Sequence, residues 1–206
     1  MSGEINTTAM LTALLPSLHA DSFADLNFWT LSDLINHTDE ALKRLARICP
    51  MFVVRDTSIT TAGGTPIYSL PSSQVSTIHI SLLTTPLRPA AVIDLEARDE
   101  QFQSTPGTPD HWYEDDLMLG TVGLVPVPVG AAPLPVICSE YPPDLDVGQL
   151  NVLVQAPAPV GIYLSFAVLG AVLGEEGESE QPDLAKHCAA RAGMLEQVLQ
   201  SYFGKG

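Results

Sequence analysis

The sequence predicts an α+β protein: a bundle of N- and C-terminal helices that carries an inserted small antiparallel β-sheet or sandwich. Three observations predict it. Apolar residues recur every three or four positions near both ends of the chain. The period falls to two between Phe52 and Glu140. Pro- and Gly-rich turns cut that middle stretch into short runs. The 206 residues are 46% apolar and 16% charged, below the roughly 25% charged residues of average soluble domains, so a packed core is expected rather than disorder. The divisions expected are residues 1–50, 51–148 and 149–206.

From Ile5 to His19, the positions Ile5, Met10, Leu14 and Leu18 predict a short helix that is redirected at Pro16. From Thr30 to Cys49, Leu31, Leu34, Ile35, Leu42, Leu45, Ala46 and Cys49 make one apolar face. Thr30 or Ser32 can cap this helix and Asp33 sits in its first turn. Lys43, Arg44 and Arg47 lie where the helix dipole favours cations, and Pro50 ends it.

Beyond Pro50 the run Phe52–Thr60 is rich in β-branched residues, and Pro66–Leu70 alternates after the Gly63-Gly64 turn. The two read as a hairpin. Val75–Leu82 alternates at Ile78, Ile80 and Leu82 and reads as a third strand. Further strands are expected at Ala91–Leu95, Leu117–Val122, Gly123–Pro126 and Val136–Glu140. After Pro142-Pro143, Asn151–Gln155 fits a strand end or a helix start. Val160–Gly174, uncharged for fifteen residues, falls short of the roughly 20 that a membrane span needs, so it reads as a buried helix with no membrane partner. Gly174–Gln181 is an acidic turn. Pro182 and Asp183 suit the start of a last helix, with Leu184, Cys188, Ala192, Leu195, Leu199 and Tyr202 on one face and Gly204 as its cap.

Charge narrows the function. Against 24 acidic residues stand 9 Lys and Arg, a net −15. A grip on nucleic acid needs clustered cations that release counterions from phosphate, and this chain lacks them. Cys49, Cys138 and Cys188 are too few and too scattered for a disulfide framework and read as buried thiols. The N-terminal stretch has no basic region of the kind that opens a secretory signal.

Chemical motifs are missing in the same way. There is no GxxxxGK[ST], GxGxxG or GxSxG. Gly63-Gly64 adjoins strands rather than opening a helix, so it lacks the free amides that hold phosphate. The densest polar cluster, His111-Trp-Tyr-Glu-Asp-Asp116, alternates between faces if extended, so no face collects His with two carboxylates. It reads as a solvated turn flanked by packed aromatics. His19, His37, His79, His111 and His187 are scattered, and Ser58, Ser81 and Ser165 have no elbow motif. No catalytic residue, cofactor or metal ligand is expected.

The order of pieces from Trp29 to Asp146 resembles the head-to-tail adaptor (connector, head-completion) proteins of tailed bacteriophages. The opening helix carries Trp29-Thr-Leu-Ser-Asp-Leu34. Then comes Gly64-Thr65-Pro-Ile-Tyr68-Ser-Leu70-Pro71, and after a strand Gly107-Thr-Pro109-Asp-His-Trp-Tyr113. Val125-Pro126-Val-Pro128 follows, and Val136–Pro143 leads to a Pro-rich exit. About 120 residues take part, and the specificity lies in their order. The Pro- and Ala-rich stretch Gly130–Pro135 departs from the family, where a shorter turn is usual.

The resemblance implies a structural virion protein at the head–tail neck, assembled in the host cytoplasm. It implies a homo-oligomeric ring, twelve subunits, docked under the portal protein. Such a ring extends the DNA channel and offers a surface to the next neck, terminator or tail protein. The helices would form the ring body and the β insert a wing. The C-terminal segment would be the portal-directed arm, which points to Leu184, Leu195, Leu199, Tyr202 and Phe203. Viral DNA would pass without sequence-specific binding, and acidity suits that role, since a ring of acidic subunits repels phosphate. A cellular β-rich binding module with helical flanks is the alternative reading, and a hydrolase or metal enzyme built on residues 111–116 is a third.

Overall fold

The structure is a computed structural model that describes residues 3–26, 29–114, 120–145, 153–156, 158–175 and 182–203. In chain order its elements are β1 (Gly3–Asn6), α1 (Thr7–Leu14), α2 (Leu31–Ile48), β2 (Val53–Asp56), β3 (Ile67–Ser69), β4 (Gln74–Leu82), β5 (Thr85–Pro86), β6 (Arg88–Pro89), α3 (Val92–Arg98), β7 (Pro106–Gly107), β8 (His111–Tyr113), β9 (Thr121–Val125), β10 (Val127–Pro128), β11 (Val136–Glu140), β12 (Leu153–Ala156), α4 (Ala158–Glu175) and α5 (Pro182–Phe203). The fold is α+β. Two compact units divide the chain, residues 1–52 with 141–206, and residues 53–140.

The first unit is helical. Its best-determined element locally is α2, because Thr30 closes a capping box with Asp33. The Thr30 amide donates to Asp33 Oδ2 at 2.7 Å and the Asp33 amide donates to Thr30 Oγ1 at 3.3 Å. The Thr30 amide first, and then the Thr30 hydroxyl, which donates to the same Asp33 Oδ2 at 2.7 Å, hold the Asp33 carboxyl below the usual carboxylate range. Leu34, Ile35, Leu42, Leu45 and Ala46 are buried at spacings of three and four. They meet α4, whose Val160, Tyr163, Leu164, Val168 and Val172 are nearly all inaccessible, and α5 packs along α4 through Ala185, Cys188, Ala192 and Leu199. Among the described residues no helix is long and apolar enough to cross a membrane.

Two expectations for this unit need correction. The first helix does not begin at Ile5. Asn6 caps it by accepting from the Ala9 amide at 3.0 Å, so α1 starts at Thr7. The residues before it pair antiparallel with β12, with Gly3 opposite Ala156 and Asn6 opposite Leu153. The buried face of α5 is also rotated from the one expected, since Ala185 replaces Leu184, and Leu184 and Tyr202 are exposed. At 100° per residue both lie roughly 60° from the line that packs on α4. Gly204 and residues 176–181 of the acidic turn lie outside the described residues.

The second unit is a sandwich of two four-stranded sheets, ordered β2-β11-β4-β5 and β3-β9-β8-β6. Tyr68, Ile80, Trp112, Val122, Leu124, Leu134, Val136 and Cys138 fill the space between them. On the other side of the second sheet, Leu95, Phe102 and Tyr113 form a small separate core under α3. Phe102 meets Tyr113 edge to face with ring centroids 5.4 Å apart.

Here too the structure revises the sequence reading. The expected hairpin of residues 52–60 and 66–70 does not form: β2 pairs with β11, whereas β3 pairs with β9 in the other sheet. The Gly63-Gly64 turn carries the chain between sheets. Gly64 takes a φ of 78°, and its amide donates to Pro128 O at 2.8 Å. Residues 91–95, expected as a strand, open α3 instead. The strand expected at 123–126 and the end of the one expected before it are one strand, β9, while residues 117–119 lie outside the described residues. His111–Tyr113 are not a solvated turn but β8, an inner strand between β9 and β6.

Candidate functional site

The residues singled out for chemistry do not converge. His37 lies on α2, His79 on β4, His111 on β8 and His187 on α5, with His19 following the first helix. Among the described residues, no three His, Cys, Asp or Glu side chains gather so as to hold a metal ion. His111 Nδ1 lies 2.7 Å from Asp110 Oδ1, and Glu114 Oε1 accepts from the Thr77 amide at 3.3 Å. Asp115 and Asp116 lie outside the described residues. Asp99, in the cleft beside His111, already accepts from Thr105 Oγ1 at 2.8 Å and the Gln101 amide at 2.9 Å. These two bonds, that from Thr105 first, hold its carboxyl low. Cys49, Cys138 and Cys188 are free and buried, and desolvation pushes all three thiols up, away from the reactive thiolate. Ser165 Oγ donates to Gly161 O at 3.0 Å, a local helix bond.

The family-type motifs do structural work. Tyr68 OH donates to Thr65 O at 2.7 Å and accepts from the Ala62 amide at 3.1 Å. The Gly64-Thr65-x-x-Tyr68 spacing therefore closes the turn that switches sheets, and Leu70 and Pro71 follow at the strand exit, Leu70 packing on the sandwich core. The Gly107/Pro109 piece meets the Pro126/Pro128 piece directly, because β7 pairs with β10. Pro109 and Pro128 are buried. In the helical unit, Trp29 packs against the core that buries Leu34.

The longer Gly130–Pro135 stretch has a visible purpose. Thr61 Oγ1 donates to Gly130 O at 2.9 Å and accepts from the Ala132 amide at 2.8 Å. Pro133 O and Pro135 O accept from the Leu83 and Ser81 amides at 3.0 and 3.1 Å. The stretch thus prolongs β11 between its two neighbours.

The helical unit holds a groove of about 350 Å³ between α2 and α5 with α4 as its floor. Small side chains line it, Ala167 and Ala171 from α4 and Ala189 and Gly193 from α5. At its charged end Arg44 grips Glu196 with two bonds, Nε to Oε1 at 2.6 Å and a terminal nitrogen to Oε2 at 3.0 Å. Tyr163 OH donates to Glu196 Oε1 at 3.1 Å. Burial first, and the Glu196 charge second, push the Tyr163 phenol well above its ordinary range. Beside this lock, Lys43 bridges Asp39, at 2.7 Å, and Asp144. The sequence reading missed the groove. Its signal was the trio of small residues three and four apart on each of two helices, Ala167/Gly170/Ala171 and Ala189/Ala192/Gly193.

Of the residues expected to face a portal, Leu199 is 3% exposed, and Leu195 and Phe203 pack partly into the same core. Leu184 and Tyr202 are exposed. The other large exposed apolar side chains include Met194 and Val198 on α5, Ile162 on α4, and Val53, Val54, Ile93 and Val129 in the second unit. Exposed large apolar side chains thus stand on both units, the kind of surface through which a protein meets other chains.

Comparison with known proteins specifies that class. The SU10 adaptor protein family model matches residues 6–204, so the chain belongs to the SU10 adaptor family, in line with its resemblance to phage head-to-tail adaptors. A search of curated proteins gave no match.

Proposed function

We propose that the protein is a structural, non-enzymatic component of the phage neck. It assembles as a ring, twelve subunits in number, beneath the portal vertex. There it prolongs the DNA channel and presents the attachment surface for the next neck, terminator or tail protein. The observation that carries this reading is the family match across residues 6–204. Exposed apolar side chains on both units agree with it. In this reading the helical unit supplies the ring body and residues 53–140 the wing. The exposed side chains of α5, Leu184 in its first turn and Tyr202 in its last, face the portal, whereas Leu199 serves the subunit's own core. Virion location and assembly in the host cytoplasm follow from the same role.

Sizing the purified chain alone and with the portal protein of the same phage tests the proposal. A portal-dependent ring is expected; a chain that stays monomeric in both samples contradicts it and favours a cellular binding module.

A further inference from the structure

Helix α5 presents two unlike flanks. One flank, with Ala189 and Gly193, forms a wall of the groove between α2 and α5. Roughly half a turn round the same helix stand Arg191, Met194 and Val198, at spacings of three and four. Met194 and Val198 are each 59% exposed. We infer that the Arg191/Met194/Val198 flank of one copy of this chain seats in the α2/α4/α5 groove of a second copy, making the contact between neighbouring subunits.

Three features of the molecule select a second copy as the occupant. The first is shape. The groove floor is built of alanine and glycine, so a helix can approach closely, and a space of about 350 Å³ admits two apolar side chains. The second is charge. Glu40 is exposed on the groove's α2 rim and Arg191 is exposed beside the apolar pair, and neither has an ion-pair partner among the described residues. The groove's other strong charges are already matched, Arg44 with Glu196. In a chain with only 9 Lys and Arg against 24 acids, an unpaired arginine next to exposed apolar side chains is a specific complement to an unpaired glutamate.

The third feature is polarity of the contact. A knob and a hole on opposite flanks of one helix cannot satisfy each other in a two-fold pair that uses one patch. They join copies head to tail, and each added copy leaves a hole for the next. Closure of that series into a ring rests on the adaptor reading, whereas the contact itself rests on the groove and the flank.

The test uses the full chain with its portal protein, sized by analytical ultracentrifugation. Gly193→Leu is the blocking variant. A Cβ at Gly193 meets no atom within 4 Å, so a leucine there starts in open space on the groove wall, and leucine is the better helix former. It is expected to abolish assembly while thermal stability holds or rises. Glu40→Arg and Arg191→Glu are each expected to abolish assembly, and the two together to restore it. If the wild type assembles and Gly193→Leu or the single reversals assemble equally, this contact is overturned and the adaptor reading stands. If the wild type never assembles with the portal, both fall. If the single reversals fail and the double does not recover, the pairing of Glu40 with Arg191 is overturned.

Discussion

The ring of Tyr113 lies across Gly123, its partner in the β8–β9 register, so closely that a Cβ on Gly123 would stand 2.0 Å from Tyr113 Cζ. The glycine is what lets the tyrosine lie flat on the sheet and reach Phe102 under α3. Gly123→Ala should therefore destabilise the protein by about 2–3 kcal/mol, the upper range for overpacking a tight core. In a Tyr113→Ala background the same change should cost far less, because the two effects share one contact. Chemical denaturation of the four variants measures the coupling; additive costs would remove this explanation.

Thr30 and Asp33 bond reciprocally at the start of α2. Thr30→Ala should cost about 1 kcal/mol, as for other helix caps. The folded Asp33 carboxyl is held low, so its contribution is present above the unfolded carboxylate pKa and is lost as pH falls through the folded one. The stability difference between Asp33→Asn and the wild type should shrink on acidification below roughly pH 4. A pH-independent difference across that window would contradict the cap.

Buried Tyr163 donates to Glu196, which Arg44 also holds. Its raised phenol pKa makes the contribution one that is complete below the unfolded tyrosine pKa, roughly 10, and lost as pH rises through the folded value. Spectrophotometric titration at alkaline pH should show one late tyrosine in the wild type and an earlier one in Glu196→Gln, since the carboxylate charge is removed. Identical titration curves would show that Glu196 does not act on Tyr163.

Residues 61–155 carry eleven acidic side chains and two basic ones. Such a surface should show no retention of duplex DNA even at concentrations of about 100 µM, the weak end of non-specific binding, at low salt. Tight binding that weakens steeply with salt would oppose a channel that lets DNA slide.

Much of this fold was legible where local chemistry decides structure. The Thr30/Asp33 cap and the stripe from Leu34 to Cys49 define α2 without outside help. The α+β class and the family followed from period changes and from the order of the motifs. What was illegible depends on partners distant in sequence. Nothing near Val53 or Ile67 says that they join different sheets, because their partners are Ser139 and Gly123. Val92 and Ile93 look like strand residues, yet Leu95 under α3 finds Phe102 and Tyr113 and a helix results. On α5 a face read from Leu184 and Tyr202 was displaced because α4 accepts Ala185 and Ala192 at close range. The groove itself was invisible for the same reason: it is made by three helices that the chain brings together from residues 37–44, 163–171 and 189–196.

Electron microscopy of the chain mixed with the portal protein of its phage reads ring assembly itself. End-on class averages of a closed ring with an open centre are expected, stacked on one face of the portal and absent from the portal alone. Portal particles without added density, with the chain still monomeric in the same sample, would contradict it.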